Sequence, residues 1–135
     1  MSGEPVEGGC FCGAVRYRLE GPPLVADYCH CRMCQRAAGA PVVAWGTWPA
    51  DRFVWLRGEP ATFASSARGE RSFCRTCGTS LTFVDPGDVG QVDVALATLD
   101  EPAAFPPTRH IWTASRMPWL EVADSLPRHA ESAKK

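Results

Sequence analysis

Three tight cysteine clusters constrain this chain more than any other feature: Cys10-Phe11-Cys12-Gly13, Cys29-His30-Cys31-Arg32-Met33-Cys34 and Cys74-Arg75-Thr76-Cys77-Gly78. Together they hold all seven cysteines of the 135-residue sequence. An odd number of thiols cannot pair completely within one chain, and spacings of one or two residues are those of metal ligands. The fold must therefore bring distant segments together around metal.

The spacing divides the ligands. Cys74 and Cys77, followed by Gly78, have the form of a zinc knuckle, in which a tight turn places two sulfurs on one ion and glycine relieves the backbone. Cys10 and Cys12, followed by Gly13, have the same two-ligand capacity. Joined, the two pairs make a closed tetrahedral zinc site of four thiolates, and structural zinc contributes about 10–16 kcal/mol of apparent binding energy at neutral pH. The metal-free chain is accordingly expected to be unfolded or molten. Cys29, Cys31 and Cys34 remain, and three ligands are what a catalytic zinc keeps beside an open fourth position. His30 lies between two of them, where extended backbone would turn its ring to the opposite face. It is expected to pack or hydrogen-bond nearby rather than complete the site. Three competing readings stay open: two structural zincs, one zinc with three spectator thiols, or a redox pair at Cys31 and Cys34.

The remaining sequence reads as many short strands in a single domain. Val15, Tyr17 and Leu19 alternate with Arg16 and Arg18, and Val92, Val94 and Leu96 with Asp93 and Ala95. Segments 53–56, 61–65, 71–73, 81–84 and 110–113 are further strand candidates, divided by Gly, Pro or Asp. Only 33–38 reads as helix, and twelve prolines and twelve glycines argue against longer ones. Residues 1–123 form the zinc domain, and 124–135, polar and aperiodic, read as a C-terminal tail. The N-terminus lacks a basic segment followed by an apolar run, and the most apolar stretch, 40–48, is about half of what a membrane-crossing helix needs. With a formal net charge of −1 and only Lys134 and Lys135 as a basic end, neither nucleic acid nor membrane is an expected partner, and the location expected is cytoplasmic.

Three ordered motifs carry a family resemblance across nearly the whole chain. Residues 9–17 (GCFCGAVRY), 29–36 (CHCRMCQR) and 71–78 (RSFCRTCG), followed by His110-Ile111-Trp112, Met117-Pro118-Trp119 and Leu126-Pro127, resemble the glutathione-dependent formaldehyde-activating enzyme family, also called the GFA or CENP-V domain. The resemblance implies a mainly β, Mss4-like fold of small antiparallel sheets pinned by zinc. It also implies two zinc ions per chain. The first and third motifs would hold the structural one and the central motif a labile one. The implied activity is that of a carbon–sulfur lyase acting on S-(hydroxymethyl)glutathione, the adduct of formaldehyde and glutathione. The founding enzymes are longer, and many relatives carry a basic pair where this chain has Gln35-Arg36.

Coordination by zinc deprotonates a thiol whose unperturbed pKa is about 8.5. The expected chemistry is therefore a substrate sulfur docked at Cys29, Cys31 and Cys34 that attacks an aldehyde carbonyl, or leaves carbon in reverse. His110 is the candidate proton donor to the developing alkoxide. Arg32, Arg36 and Arg75 are candidates to balance thiolate charge or pair with glutathione carboxylates, against the alternative of plain surface arginines. Trp112 and Trp119 are candidate pocket walls, against the alternative of core packing. The rival functions are a non-catalytic zinc-binding interaction module and a zinc-storage protein.

Overall fold

The computed structural model describes residues 4–67 and 69–133. In chain order they form β1 (Pro5–Gly9), β2 (Arg16–Glu20), β3 (Val25–Cys29), α1 (Arg32–Ala38), β4 (Val43–Pro49), β5 (Phe53–Arg57), β6 (Ala61–Ser66), β7 (Gly69–Phe73), β8 (Ser80–Val84), β9 (Gln91–Ala95) and β10 (His110–Ile111), with short 3-10 turns between. A three-stranded sheet has the order β1-β2-β5 and a seven-stranded sheet the order β10-β3-β4-β9-β8-β7-β6. Every neighbouring pair is antiparallel except β10 with β3.

Period-two alternation explains how the two sheets meet. Tyr17 and Leu19 of β2 are fully buried, and they join Trp48, Leu81, Val92 and Val94 of the larger sheet in the main core. Two polar tips are satisfied inside it: the Tyr17 hydroxyl lies 2.6 Å from Thr98 Oγ1, and Trp48 Nε1 donates to the Gly21 carbonyl at 2.9 Å. Strand β4 is covered on both sides. Trp48 enters the main core, while Trp45, three positions earlier and so on the other face, joins Cys29, Cys34 and Ala95 in a second, smaller cluster. That second face carries the candidate site.

The alternating segments at 15–19 and 92–96 become β2 and β9, and the segments at 53–56, 61–65, 71–73 and 81–84 lie in β5 to β8. Three strands carried no alternating signal. β1 ends in two glycines, β3 places a buried Asp27 among apolar residues, and β4 is mostly apolar without alternation because both its faces are covered, its one hydroxyl, Thr47, donating to Asp93. The strand expected at 110–113 stops at Ile111, because Trp112 adopts a left-handed conformation with φ 58° and a 3-10 turn follows.

The segment read as a C-terminal tail runs beside β10: His110 N–H donates to the Pro127 carbonyl at 2.8 Å and His129 N–H to the His110 carbonyl at 2.9 Å. The Trp112 and Thr113 amides donate onward to the carbonyls of Glu131 and His129. Most of these pairings use the backbone, which leaves no periodic side-chain pattern, and the Asp124 carboxylate adds a contact to His110. Lys134 and Lys135 lie outside the described residues.

Candidate metal centre

Cys10 and Cys12 sit in the turn between β1 and β2, and Cys74 and Cys77 in the turn between β7 and β8. Their four sulfurs all lie within 4.8 Å of one another. Gly13 and Gly78 take φ values of 82° and 83°, the left-handed conformation each knuckle needs after its second cysteine. Backbone amides point at sulfur: Val15 N–H donates to Cys10 Sγ at 3.2 Å, and the Thr76 and Cys77 amides to Cys74 Sγ at 3.3 and 3.4 Å. The Cys10–Cys12 and Cys12–Cys74 sulfur separations are 3.7 and 3.8 Å. A tetrahedron with Zn–S bonds of about 2.3 Å has edges of roughly 3.8 Å, so the donor set and its spacing fit a thiophilic tetrahedral cation. The hydroxyl of Thr79, 3.2 Å from Cys77 Sγ, holds that thiol down to about 5.

The second set is built by the end of β3 and the start of α1. Cys31 is the N-cap of that helix, its sulfur accepting the Cys34 amide at 3.3 Å. Cys29, Cys31 and Cys34 bring their sulfurs within 4.8 Å of one another, with Cys29 and Cys34 buried and Cys31 half-buried. Hydrogen bonds from Cys29 and Cys34 hold the Cys31 thiol down to about 2, while those two thiols are themselves pushed up. A divalent cation held by Cys29, Cys31 and Cys34 would take the place of thiol protons, the usual coupling of metal binding to thiol ionisation.

This trio lines a cavity of about 640 Å³. Met33, Trp45, Phe83, Ile111 and Trp112 supply its apolar wall, and Asp27, Arg32, Arg71, Asp85 and Asp93 its charged groups. That is within the usual 300–1,000 Å³ range of small-molecule sites. The four-sulfur cluster is not part of the lining. One cluster joins two hairpin turns, with Cys10 and Cys74 buried and Cys12 exposed, and the other faces a cavity.

His30 turns away from the cysteines that flank it. Its Nε2 lies 2.8 Å from His110 Nδ1, and His110 Nε2 lies 3.0 Å from an Asp124 oxygen. The carboxylate can only accept, so the network runs His30 N–H to His110 and His110 N–H to Asp124. Burial, and then the neighbouring His110, keep the His30 ring below the usual imidazole range. His110 is fully buried, stacked between Tyr28 and His30, with both ring nitrogens engaged. It does not face the cavity. The expected role as proton donor to substrate gives way to one in anchoring the loop that carries Cys29 and Cys31.

The other candidates separate in the same way. Arg32 and Trp112 line the cavity, and Arg32 Nη1 also donates to Gln35 Oε1 at 2.6 Å. Arg36 and Arg75 are exposed, and Arg75 Nε donates to the Glu59 carbonyl at 3.4 Å. Trp119 is 71% exposed and stands outside both the core and the cavity. Two buried residues escaped the reading of the sequence. Gln35 donates from Nε2 to the carbonyls of His30, Pro41 and Ser115, tying the metal loop to the helix and the C-terminal region. Arg71, taken only as part of a strand and motif, places Nη2 3.7 Å from Cys34 Sγ.

Two sheets pinned by a four-cysteine cluster, with a three-cysteine cluster opening on a cavity, define a mainly β protein of Mss4-like fold with two metal-compatible centres. The model of the family described as glutathione-dependent formaldehyde-activating enzyme matches residues 5–115, and the chain belongs to that family. A protein of Halomonas elongata named "Putative glutathione-dependent formaldehyde-activating enzyme" is 32% identical over 127 residues, covering 87% of this chain and 80% of that protein. A Schizosaccharomyces pombe protein named as an uncharacterized lyase is 34% identical over 79 residues, 57% of this chain and 56% of that one. Among solved structures, a Rhodobacter sphaeroides protein matches with a TM-score of 0.59 at 25% identity, covering 70% of this chain and 87% of that chain. Among the described residues no helix is long and apolar enough to cross a membrane.

Proposed function

We propose that the chain is a zinc-dependent carbon–sulfur lyase of the formaldehyde-activating type, working in the cytoplasm on a thiol such as glutathione. Two zinc ions per chain belong to this reading: a structural one on Cys10, Cys12, Cys74 and Cys77, and a labile one on Cys29, Cys31 and Cys34. The observation that carries it is the three-sulfur cluster in the wall of a cavity of small-molecule size.

When bound there, zinc supplies the positive charge that keeps sulfur ionised at neutral pH. The chain's own residues supply position and environment. Cys29 is fixed at the end of β3, and Cys31 and Cys34 are fixed by the capped first turn of α1. Trp45, Phe83, Ile111 and Trp112 exclude water from one side of the cavity. Arg32, at its rim, offers a guanidinium to a substrate carboxylate. The reaction joins thiol sulfur to the aldehyde carbon; the carbonyl π pair moves to oxygen, and the proton lost from the thiol ends there. The reverse direction restores thiol and aldehyde.

The test is the rate at which the S-hydroxymethyl adduct of glutathione and formaldehyde forms, followed by NMR against the spontaneous reaction. The protein should accelerate it. Cys31→Ser should fall to the uncatalysed background with its circular dichroism unchanged. A folded Cys31→Ser protein that accelerates the reaction as well as the unaltered one would refute the proposal.

A further inference from the structure

Arg71 lies in the cavity wall with 6% of its surface exposed. A buried guanidinium normally has a carboxylate hydrogen-bonded to it, because an uncompensated charge is expensive to remove from water. Arg71 has no such carboxylate among the described residues. Its Nε donates to Ser65 Oγ at 3.1 Å, its guanidinium carbon stands 4.9 Å from the centre of the Phe83 ring, and Nη1 has no hydrogen-bond partner. The one hydrogen-bonded group that can carry negative charge is Cys34, whose sulfur is 3.7 Å from Nη2.

We infer that Arg71 is the counter-ion of the Cys29–Cys31–Cys34 centre, a positioning residue that stabilises the cluster as metal-bound thiolates and tolerates a further anionic sulfur. The inference rests on reading that cluster as a metal centre. A divalent cation on three thiolates carries a net single negative charge, which one guanidinium cancels. Without it, a fourth thiolate would enter a site already negative, in a cavity that also holds the carboxylates of Asp27, Asp85 and Asp93 and whose apolar wall leaves charge weakly screened. The four-cysteine site has no arginine hydrogen-bonded to its sulfurs among the described residues, so the effect is confined to one of the two centres.

Metal affinity, measured with cobalt and zinc against a chromophoric chelator, tests this without reference to turnover. In Arg71→Gln the weaker of the two sites should lose about 10- to 100-fold in affinity, the usual loss when a group supporting a ligand is removed. The tighter site should be unchanged. Arg71→Lys should recover much of the loss, because charge rather than the fork of donors is what the site needs. Ser65→Asp, which offers Arg71 a carboxylate of its own, should weaken the same site in a chain that keeps the arginine, and it decides the matter if Arg71→Gln does not fold. An unchanged weaker site in folded Arg71→Gln or Ser65→Asp protein, or a lysine variant as weak as the glutamine one, would overturn the inference while leaving the metal centre intact. Absence of any second metal from the unaltered chain would overturn both.

Discussion

Cys74→Ser is expected to leave the chain without a cooperative unfolding transition. Cys74 is 1% exposed, its sulfur accepts two backbone amides, and it lies 3.8 Å from the sulfur of Cys12 on the other hairpin. The cluster therefore ties the three-stranded sheet, through the turn after β1, to the seven-stranded sheet, through the turn after β7. Structural zinc contributes about 10–16 kcal/mol of apparent binding energy, whereas domains have a net stability of roughly 5–15 kcal/mol. Loss of one thiolate from such a site cannot be absorbed by the rest of the fold. Near-ultraviolet circular dichroism, reporting on Trp48 buried between the sheets and Trp55 packed against the same core, should flatten, and thermal unfolding should become broad. A Cys74→Ser protein that melts cooperatively within a few degrees of the unaltered chain would show that the cluster does not hold the sheets together.

Deleting residues 124–135 is expected to lower stability by about 3–5 kcal/mol, at about 0.5–1.5 kcal/mol for each hydrogen bond lost. The lost groups are the carboxylate that accepts from His110 and the backbone partners of His110, Trp112 and Thr113. In a chain of this size the melting temperature should fall by roughly 10–20 °C. The deletion should also loosen metal at the three-cysteine cluster, because His110 holds His30 and His30 lies between Cys29 and Cys31. Asp124→Asn, which keeps an acceptor but removes the charge, should fall between the two. An unchanged melting temperature in the deleted chain would mean that the segment is the loose tail its composition suggested.

What could be read from the sequence was what local pattern encodes. Alternation placed Tyr17, Leu19, Val92 and Val94 in the core, and the cysteine spacing, with Gly13 and Gly78 after it, described two knuckles whose sulfurs do converge. What escaped depended on partners far along the chain. β3, with Asp27 in its middle, carried no strand signal, and the group that pairs with Asp27 is Arg109, 82 positions away and 3.3 Å from it. Arg71 entered the sequence reading only within a strand and a motif, since nothing local says that Cys34 lies near it. His110, in the C-terminal motif of the family resemblance, read as a candidate proton donor. Both its partners, His30 and Asp124, are distant in sequence, and they make it a buried strut.

The most direct test of two unlike metal centres is the zinc content per chain of protein purified without chelator, measured by elemental analysis. It would be repeated after brief chelation and again with glutathione present. The account predicts two zinc ions, one retained through chelation and one removed, the second protected by glutathione and missing from Cys31→Ser. A single tightly held zinc, indifferent to both glutathione and Cys31→Ser, would contradict it.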